Sequence, residues 1–372
     1  MWTGLSSSVE TLSPVEVFSS ASGLIATLVL VSGGLLLLSV GLAAFALGTR
    51  AWSWYRRWIW RQRKKRWEAG VVKVLGRDMS PSSLTDQVRM GHFGSFLEVL
   101  IPYATSVKGP EKNLIRALAD PFLQQVKANL SSRRALIRAQ AAQRLGLLGG
   151  PEQTESLRDM LDDPSDRVAE RAFHALARVG GSDNTERLLG CLTRLGHVAP
   201  KHISSSLVRL GEGAAPTFRT AMAGEDRADF VRICCAETLR ELGDTAAVAG
   251  AAFLLDDVNF RVMCKTPDLT VALLRLLMQL GKGVHGPLIR AYCHAEDPAV
   301  RLHAARALGE LGSPEDEILL GTLVHADDSR WVAVSAARSL IKLGAATPLR
   351  KLRTLDHPRA QLASDLILPS DQ

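Results

Sequence analysis

The sequence predicts an all-α chain: a single membrane-crossing helix followed by a right-handed α-solenoid of helix pairs. Three observations carry that expectation. The stretch Val17–Thr49 contains no charged residue. A phrase of apolar residues at helical spacing, closed by glycine, recurs between Ile137 and Gly344. Only 5% of the 372 residues are aromatic, while Leu, Ala and Gly abound. That balance disfavours a β-sandwich or barrel and suits closely packed helices.

The elements follow in order. Residues 1–21 are expected to form a short extracytoplasmic N-terminus and residues 22–49 a transmembrane helix. The apolar heart of that helix, Leu24–Leu47, would be roughly 36 Å long, against a hydrocarbon core of about 30 Å. A cleaved signal peptide needs a basic start and a much shorter apolar run. Here Glu10 and Glu16 precede the run, so an uncleaved anchor is expected. Gly34, Gly41 and Gly48 fall on one face of it, where small residues let a partner helix approach closely. Glycine is also common in such helices, so the spacing alone leaves background as the alternative.

Residues 50–67 form a basic, Trp-rich juxtamembrane segment. Arg50, Arg56, Arg57, Arg61, Arg63, Lys64, Lys65 and Arg66 occur there with no acid before residue 67, interleaved with Trp52, Trp54, Trp58, Trp60 and Trp67. The basic excess beside the apolar run predicts an outside N-terminus and a cytoplasmic 50–372. The five cysteines lie in that part, which fits a reducing compartment. Indoles prefer the headgroup layer and arginines pair with lipid phosphates, so an anionic lipid surface is an expected partner. The expectation is a helix that lies along, or docks onto, that surface; an ordinary stop-transfer belt is the plainer reading.

This segment also explains the overall charge. The chain carries +7, but residues 67–372 carry only +1. A nucleic-acid-binding domain should wear its excess on a folded surface, so no nucleic-acid partner is expected.

Residues 68–130 are expected to hold degenerate capping helices, for example Pro110–Leu118 and Pro121–Leu130, and residues 131–357 seven repeats, with a C-terminal cap or tail at 358–372. The phrase reads IRAQAAQRLGLLG at Ile137–Gly149, VAERAFHALARVG at Val168–Gly180, VRICCAETLRELG at Val231–Gly243, VRLHAARALGELG at Val300–Gly312 and VAVSAARSLIKLG at Val332–Gly344. Weaker copies end at Gly211 and Gly281, and the closing glycines are spaced 31, 31, 32, 38, 31 and 32 residues apart. An acidic turn precedes the phrase at Asp162-Asp163-Pro164, Asp256-Asp257, Asp297-Pro298 and Asp327-Asp328. Asp suits an N-cap and Pro the first helical position, and Gly312 is expected to stop its helix in a left-handed cap. A second helix start follows each phrase, as at Ser313-Pro314. Such a two-helix unit cannot bury its apolar face alone, so the units must stack.

The run DPAVRLHAARALGELG at Asp297–Gly312 resembles the short bacterial, bilin-lyase-type HEAT-like repeat. The resemblance covers about 131–357 and implies a solenoid. It also implies that the Asp before the phrase and the Arg within it link neighbouring repeats. Arg138, Arg232 and Arg301 match the Arg, Asp297 matches the Asp, and Ala169 and Ala333 depart from the pattern. These are read as structural residues.

No catalytic constellation is found, and neither cofactor nor metal is expected. The HEAT-type deoxyhypusine hydroxylases carry His-Glu pairs, and none of the nine histidines here precedes Glu. The cluster Tyr292, Cys293, His294, Glu296, Asp297 and His303 lacks C-x-x-C or H-E-x-x-H spacing. Cys234 and Cys235 occupy paired-Ala positions and read as small core residues. The long interval before Gly281 places Phe260, Arg261 and Met263 in an insertion, and solenoid insertions often lie on a binding face; they are candidate partner-binding residues.

The functional expectation is a non-enzymatic scaffold at the cytoplasmic side of a bacterial inner membrane, holding a protein partner on the solenoid's concave face. The partner could be a membrane enzyme or transporter, an envelope or polysaccharide synthesis enzyme among them, though no residue points to one. The alternative is a HEAT-like ligand-binding or lyase-type enzyme acting on a bilin or other small molecule. It would need a polar, titratable pocket on that face.

Overall fold

A computed structural model describes residues 14–107, 109–257, 266–345 and 347–354. All regular structure among them is helical. The chain divides after Ser80 into two compact units.

In the first unit, α1 (Pro14–Leu75) is one unbroken helix of 62 residues, about 93 Å long at 1.5 Å per residue. Among the described residues it is the one helix long and apolar enough to cross a membrane. Leu35, Leu36, Leu37 and Leu38 are between 60% and 73% exposed, an apolar surface that favours lipid over water. No helix end separates the apolar stretch from the basic one; the boundary near residue 50 is chemical. The helix stops at a left-handed Arg77, φ 65°, with the Asp78 N–H donating to the Lys73 carbonyl at 2.9 Å.

The second unit begins with α2 (Pro81–Thr85), α3 (Phe93–Ser106) and α4 (Pro110–Ala128). Phe96, Leu97, Leu100, Ile115, Leu118 and Phe122 are buried there, with Phe96 edge-on to Phe122 at 5.7 Å between ring centroids. The expected break before Pro121 does not occur. Pro121 lies inside α4, where the buried Leu118, Ala119, Phe122 and Leu123 on either side hold the helix together past the missing N–H.

Seven helix pairs follow: α5 (Ala135–Leu148) with α6 (Thr154–Asp159), α7 (Asp166–Val179) with α8 (Thr185–Cys191), and α9 (Pro200–Leu207) with α10 (Ala215–Ala223). Next come α11 (Asp229–Leu242) with α12 (Ala247–Asp256) and α13 (Pro267–Leu280) with α14 (Gly286–Tyr292). The last are α15 (Pro298–Leu311) with α16 (Glu317–Ala326) and α17 (Arg330–Lys342) with α18 (Thr347–Thr354). The first helix of each pair is the recurring phrase, and phrase helices pack on phrase helices: α5 on α7, α11 on α13, α13 on α15, α15 on α17. Small residues set the spacing. A Cβ at Gly146 would fall 2.3 Å from the Ala175 Cβ, and one at Gly309 would fall 2.5 Å from the Ser339 Oγ. Ser339 in turn donates to the Ala305 carbonyl at 2.8 Å.

The closing glycines act in two ways, and Gly312 is not in the expected one. Its φ is −75° and ψ 179°, an extended conformation open to any residue. It is glycine because a Cβ there would lie 2.4 Å from the Leu308 carbonyl oxygen and 2.7 Å from Asp316. Gly243, at φ 73° and ψ 26°, is the left-handed cap.

Candidate binding surface

Arginine and aspartate do join neighbouring repeats. Arg138 donates through Nε and Nη2 to the two oxygens of Asp163 at 2.7 and 2.9 Å. Arg301 grips Asp327 in the same fork, at 2.7 and 3.0 Å. Each carboxylate also accepts the N–H of the serine two residues on, at 2.8 Å. The Arg138 fork holds the Asp163 carboxyl below its ordinary pKa, against the opposing effect of burial. Asp297 differs from the expectation. It caps its own helix, accepting from the Ala299 and Val300 N–H groups at 2.7 and 3.3 Å. The bridging carboxylates are Asp163 and Asp327, two residues ahead of the N-caps Ser165 and Ser329. Arg232 donates inward to the Met222 carbonyl at 3.0 Å and pairs with Asp229 at 3.5 Å. A second ladder, not anticipated from sequence, runs along the second helices: Arg158 to Asn184 at 2.5 Å, Arg219 to Asp244 at 2.8 Å, Arg290 to Asp316 at 2.5 Å. Its signal was present in the separations of 25 or 26 residues.

The expected membrane-surface residues all lie on α1. Trp52 and Trp54 are exposed, as are Trp58 and Trp60. Tyr55 sits between Trp52 and Trp58 at 6.2 and 6.4 Å, and the Lys64 ammonium lies 5.2 Å from the Trp60 ring. Arg50, Arg56, Arg57, Arg61, Lys65 and Arg66 are exposed, with Arg63 half-buried. Two points depart from a helix lying on a surface. Trp67 is 9% exposed, so its indole is not available to a headgroup layer. At 100° per residue, Trp54 and Trp58 stand on the side of the helix opposite Trp52, and basic residues separate them all round. That arrangement girdles a helix rather than giving it an apolar face and a charged face. Positions 34, 41 and 48 have nothing within 4 Å of a Cβ built there. Phe260, Arg261 and Met263 lie outside the described residues.

Cys234, Cys235, Cys293 and Tyr292 are buried, whereas His294 and Glu296 are exposed. Burial pushes the Cys234 thiol up to about 12 and raises Cys235 further. Tyr292 donates to the Leu255 carbonyl at 2.5 Å. No group of His, Cys, Asp and Glu that could hold a metal occurs among the described residues.

The side of the phrase helices turned away from their paired helices forms a long open layer. Arg171, Arg209, Arg306 and Arg338 are exposed on it. The residue just ahead of the phrase is apolar in several repeats: Leu136, 56% exposed, Phe230, half-buried, and Trp331, 73% exposed. Lining up the phrases would have shown this position, one residue before where each was read to begin.

The layer opens between α7 and the short α9 into a cavity of about 320 Å³. His174 and Ser206 meet across it, Nδ1 to Oγ, at 2.7 Å. Glu170 stands 3.9 Å from the other imidazole nitrogen, beyond hydrogen-bond reach. Burial lowers the His174 pKa despite Glu170, so its neutral form is favoured.

The family model for HEAT repeats matches residues 120–195 and 266–361, and the repeats in those two stretches resemble HEAT repeats. No curated protein matches the chain. Among solved structures, the complex of CpcE and CpcF of phycocyanin lyase from Nostoc sp. PCC7120 is 20% identical, covers 64% of this chain and 83% of that one, and has a TM-score of 0.32. Human deoxyhypusine hydroxylase is 19% identical over 75% of this chain and 98% of its own, with a TM-score of 0.30. Importin beta is 14% identical over 82% of this chain and 47% of its own, with a TM-score of 0.42.

Proposed function

We propose that this chain is a membrane-tethered scaffold, anchored by α1 in a bacterial inner membrane, that presents the open phrase-helix layer to a protein partner in the cytoplasm. The observation that carries the reading is the layer itself. It runs unpaired along the repeats and ends at Trp331, 73% exposed. A large aromatic in water beside arginines is the composition of an interface anchor. The exposed leucines of α1 support the tether, and the girdle of Trp, Arg and Lys beneath them supports an interfacial position and the cytoplasmic side. The reading includes no catalytic step. Partner candidates are membrane enzymes and transporters, since a partner in the same membrane meets a tethered solenoid at raised local concentration.

Membrane fractionation tests the tether. The full chain should stay with the membrane through alkaline carbonate, and a reporter fused after Gln372 should be active only if it folds in the cytoplasm. Release by carbonate, or an exported reporter, would remove the tether from the account.

A further inference from the structure

One position of the phrase behaves differently from the rest. Two residues before the closing glycines stand Leu147, Arg178, Arg209, Glu241, Gln279, Glu310 and Lys342. Successive repeats bring these side chains side by side. Lys342 pairs with Glu310, whereas Glu241, next in the row after Arg209, turns to Arg240 at 3.7 Å and Ser204 at 3.3 Å. Arg178 and Arg209 are the like-charged pair. Both line the cavity between α7 and α9, together with Arg171, His202 and the His174–Ser206 pair. Among the described residues no carboxylate comes within ion-pair distance of Arg171, Arg178 or Arg209. This is a chain in which Arg138, Arg219, Arg290 and Arg301 all have acidic partners. Glu170, the one lining carboxylate, is instead near His174.

The local field is positive beyond the cavity wall. Burial and Arg209 together lower the Arg178 pKa. Burial lowers that of Lys112 on α4, reinforced by Arg116, Arg178 and Arg209. Arg178 is half-buried and Arg209 exposed; holding like charges together without a counter-charge costs stability, less where water screens one of them. An anion between the two guanidiniums would offset that cost.

We propose that this cavity is a binding site for a phosphoryl-bearing ligand, with Arg178 and Arg209 gripping the phosphoryl oxygens. Guanidinium forks match phosphate geometry, and Ser206, His202 and Arg171 supply further donors around the same space. A volume near the lower end of ordinary ligand cavities suits a phosphate ester or diphosphate rather than a peptide. The same chemistry is offered by a soluble phosphate compound and by a phospholipid headgroup. The site stands whether or not α1 spans a membrane.

The test uses the full chain in an uncharged detergent, with inorganic pyrophosphate as the soluble probe and uncharged vesicles with and without phosphatidic acid as the lipid probe. Titration calorimetry should give saturable binding of one probe. The double variant Arg178→Gln, Arg209→Gln should weaken it by about a hundredfold, roughly tenfold per lost charged contact. Changing Arg133 and Arg134 to Gln, exposed ahead of α5 and outside the cavity, should leave it unchanged. Whichever probe responds identifies the source. Without ligand, the Arg178→Gln chain should melt no lower than the parent, because a like-charge contact is removed; that melt also certifies the variant's fold. Binding by neither probe, binding indifferent to the double variant, or a folded double variant with full affinity would each overturn the proposal.

Discussion

At the scale of single residues the ion-pair forks and one half-buried imidazole make the sharpest claims. Asp163 is 6% exposed and held by both arms of Arg138. Asp163→Ala should cost about 2 kcal/mol, the range for charge-assisted bonds whose partner is left behind. Because the folded carboxyl lies below its unfolded pKa, its contribution is present above that unfolded value and fades as pH falls through the folded one. The parent should therefore lose stability faster than the variant in denaturant melts below about pH 4. His303 gives the companion case nearer neutrality. Burial, with Arg275 and Arg306 beside it, lowers its pKa to about 4, and its Nδ1 is buried without a hydrogen-bond partner. Its neutral form therefore stabilises the fold above the unfolded value, about 6.5, and that stability drains away as pH falls from there toward 4. His303→Gln should flatten the dependence of the melting temperature on pH between those limits. An unchanged slope would show that the imidazole is not held neutral.

At the scale of elements the glycines separate two mechanisms that the sequence presents as one letter. Gly312 is closed to a side chain by the Leu308 carbonyl at 2.4 Å, although its backbone is ordinary. Gly243 is open to a side chain but left-handed. Gly312→Ala should therefore cost about 2 kcal/mol or more through overpacking. Gly243→Ala should cost about 1 kcal/mol through the left-handed backbone alone. Chemical denaturation of the two variants distinguishes them, and equal losses would contradict the distinction. The helix pairs themselves were legible because each phrase carries its own stripe: Val300, Ala304, Ala307, Leu308 and Leu311 follow helical spacing and are buried. The continuity of α4 through Pro121 was not legible, because it depends on burial of Phe122 and Leu123 in the folded cap. The bridging role of Asp163 and Asp327 was also misplaced onto Asp297. All three precede a phrase, and only the turn geometry decides which caps and which reaches across.

At the scale of the whole molecule, the sequence divides the charge and the structure divides the surface. The basic residues below the apolar stretch were plain from composition, yet their placement around α1 required the helix to be unbroken. The cavity could not be read in advance by the same route. Arg178 and Arg209 are one repeat apart, and they matter only because no acid intervenes and α9 is short enough to leave a gap. Trp331 was hidden for a related reason: a tryptophan ahead of a phrase is indistinguishable from a core residue until its exposure is known. On this proposal the partner seats on the phrase-helix layer, where Trp331 and Arg306 are exposed, and not on the second helices, where α12 and α16 expose Phe253 and Ile318. Site-specific photocrosslinking of the full chain in native membranes compares the two sides directly. A photoreactive residue at Trp331 or Arg306 should yield a discrete adduct with a protein partner, while one at Phe253 or Ile318 should not. Adducts from Phe253 and Ile318 alone, or none from any of the four positions, would contradict the scaffold account.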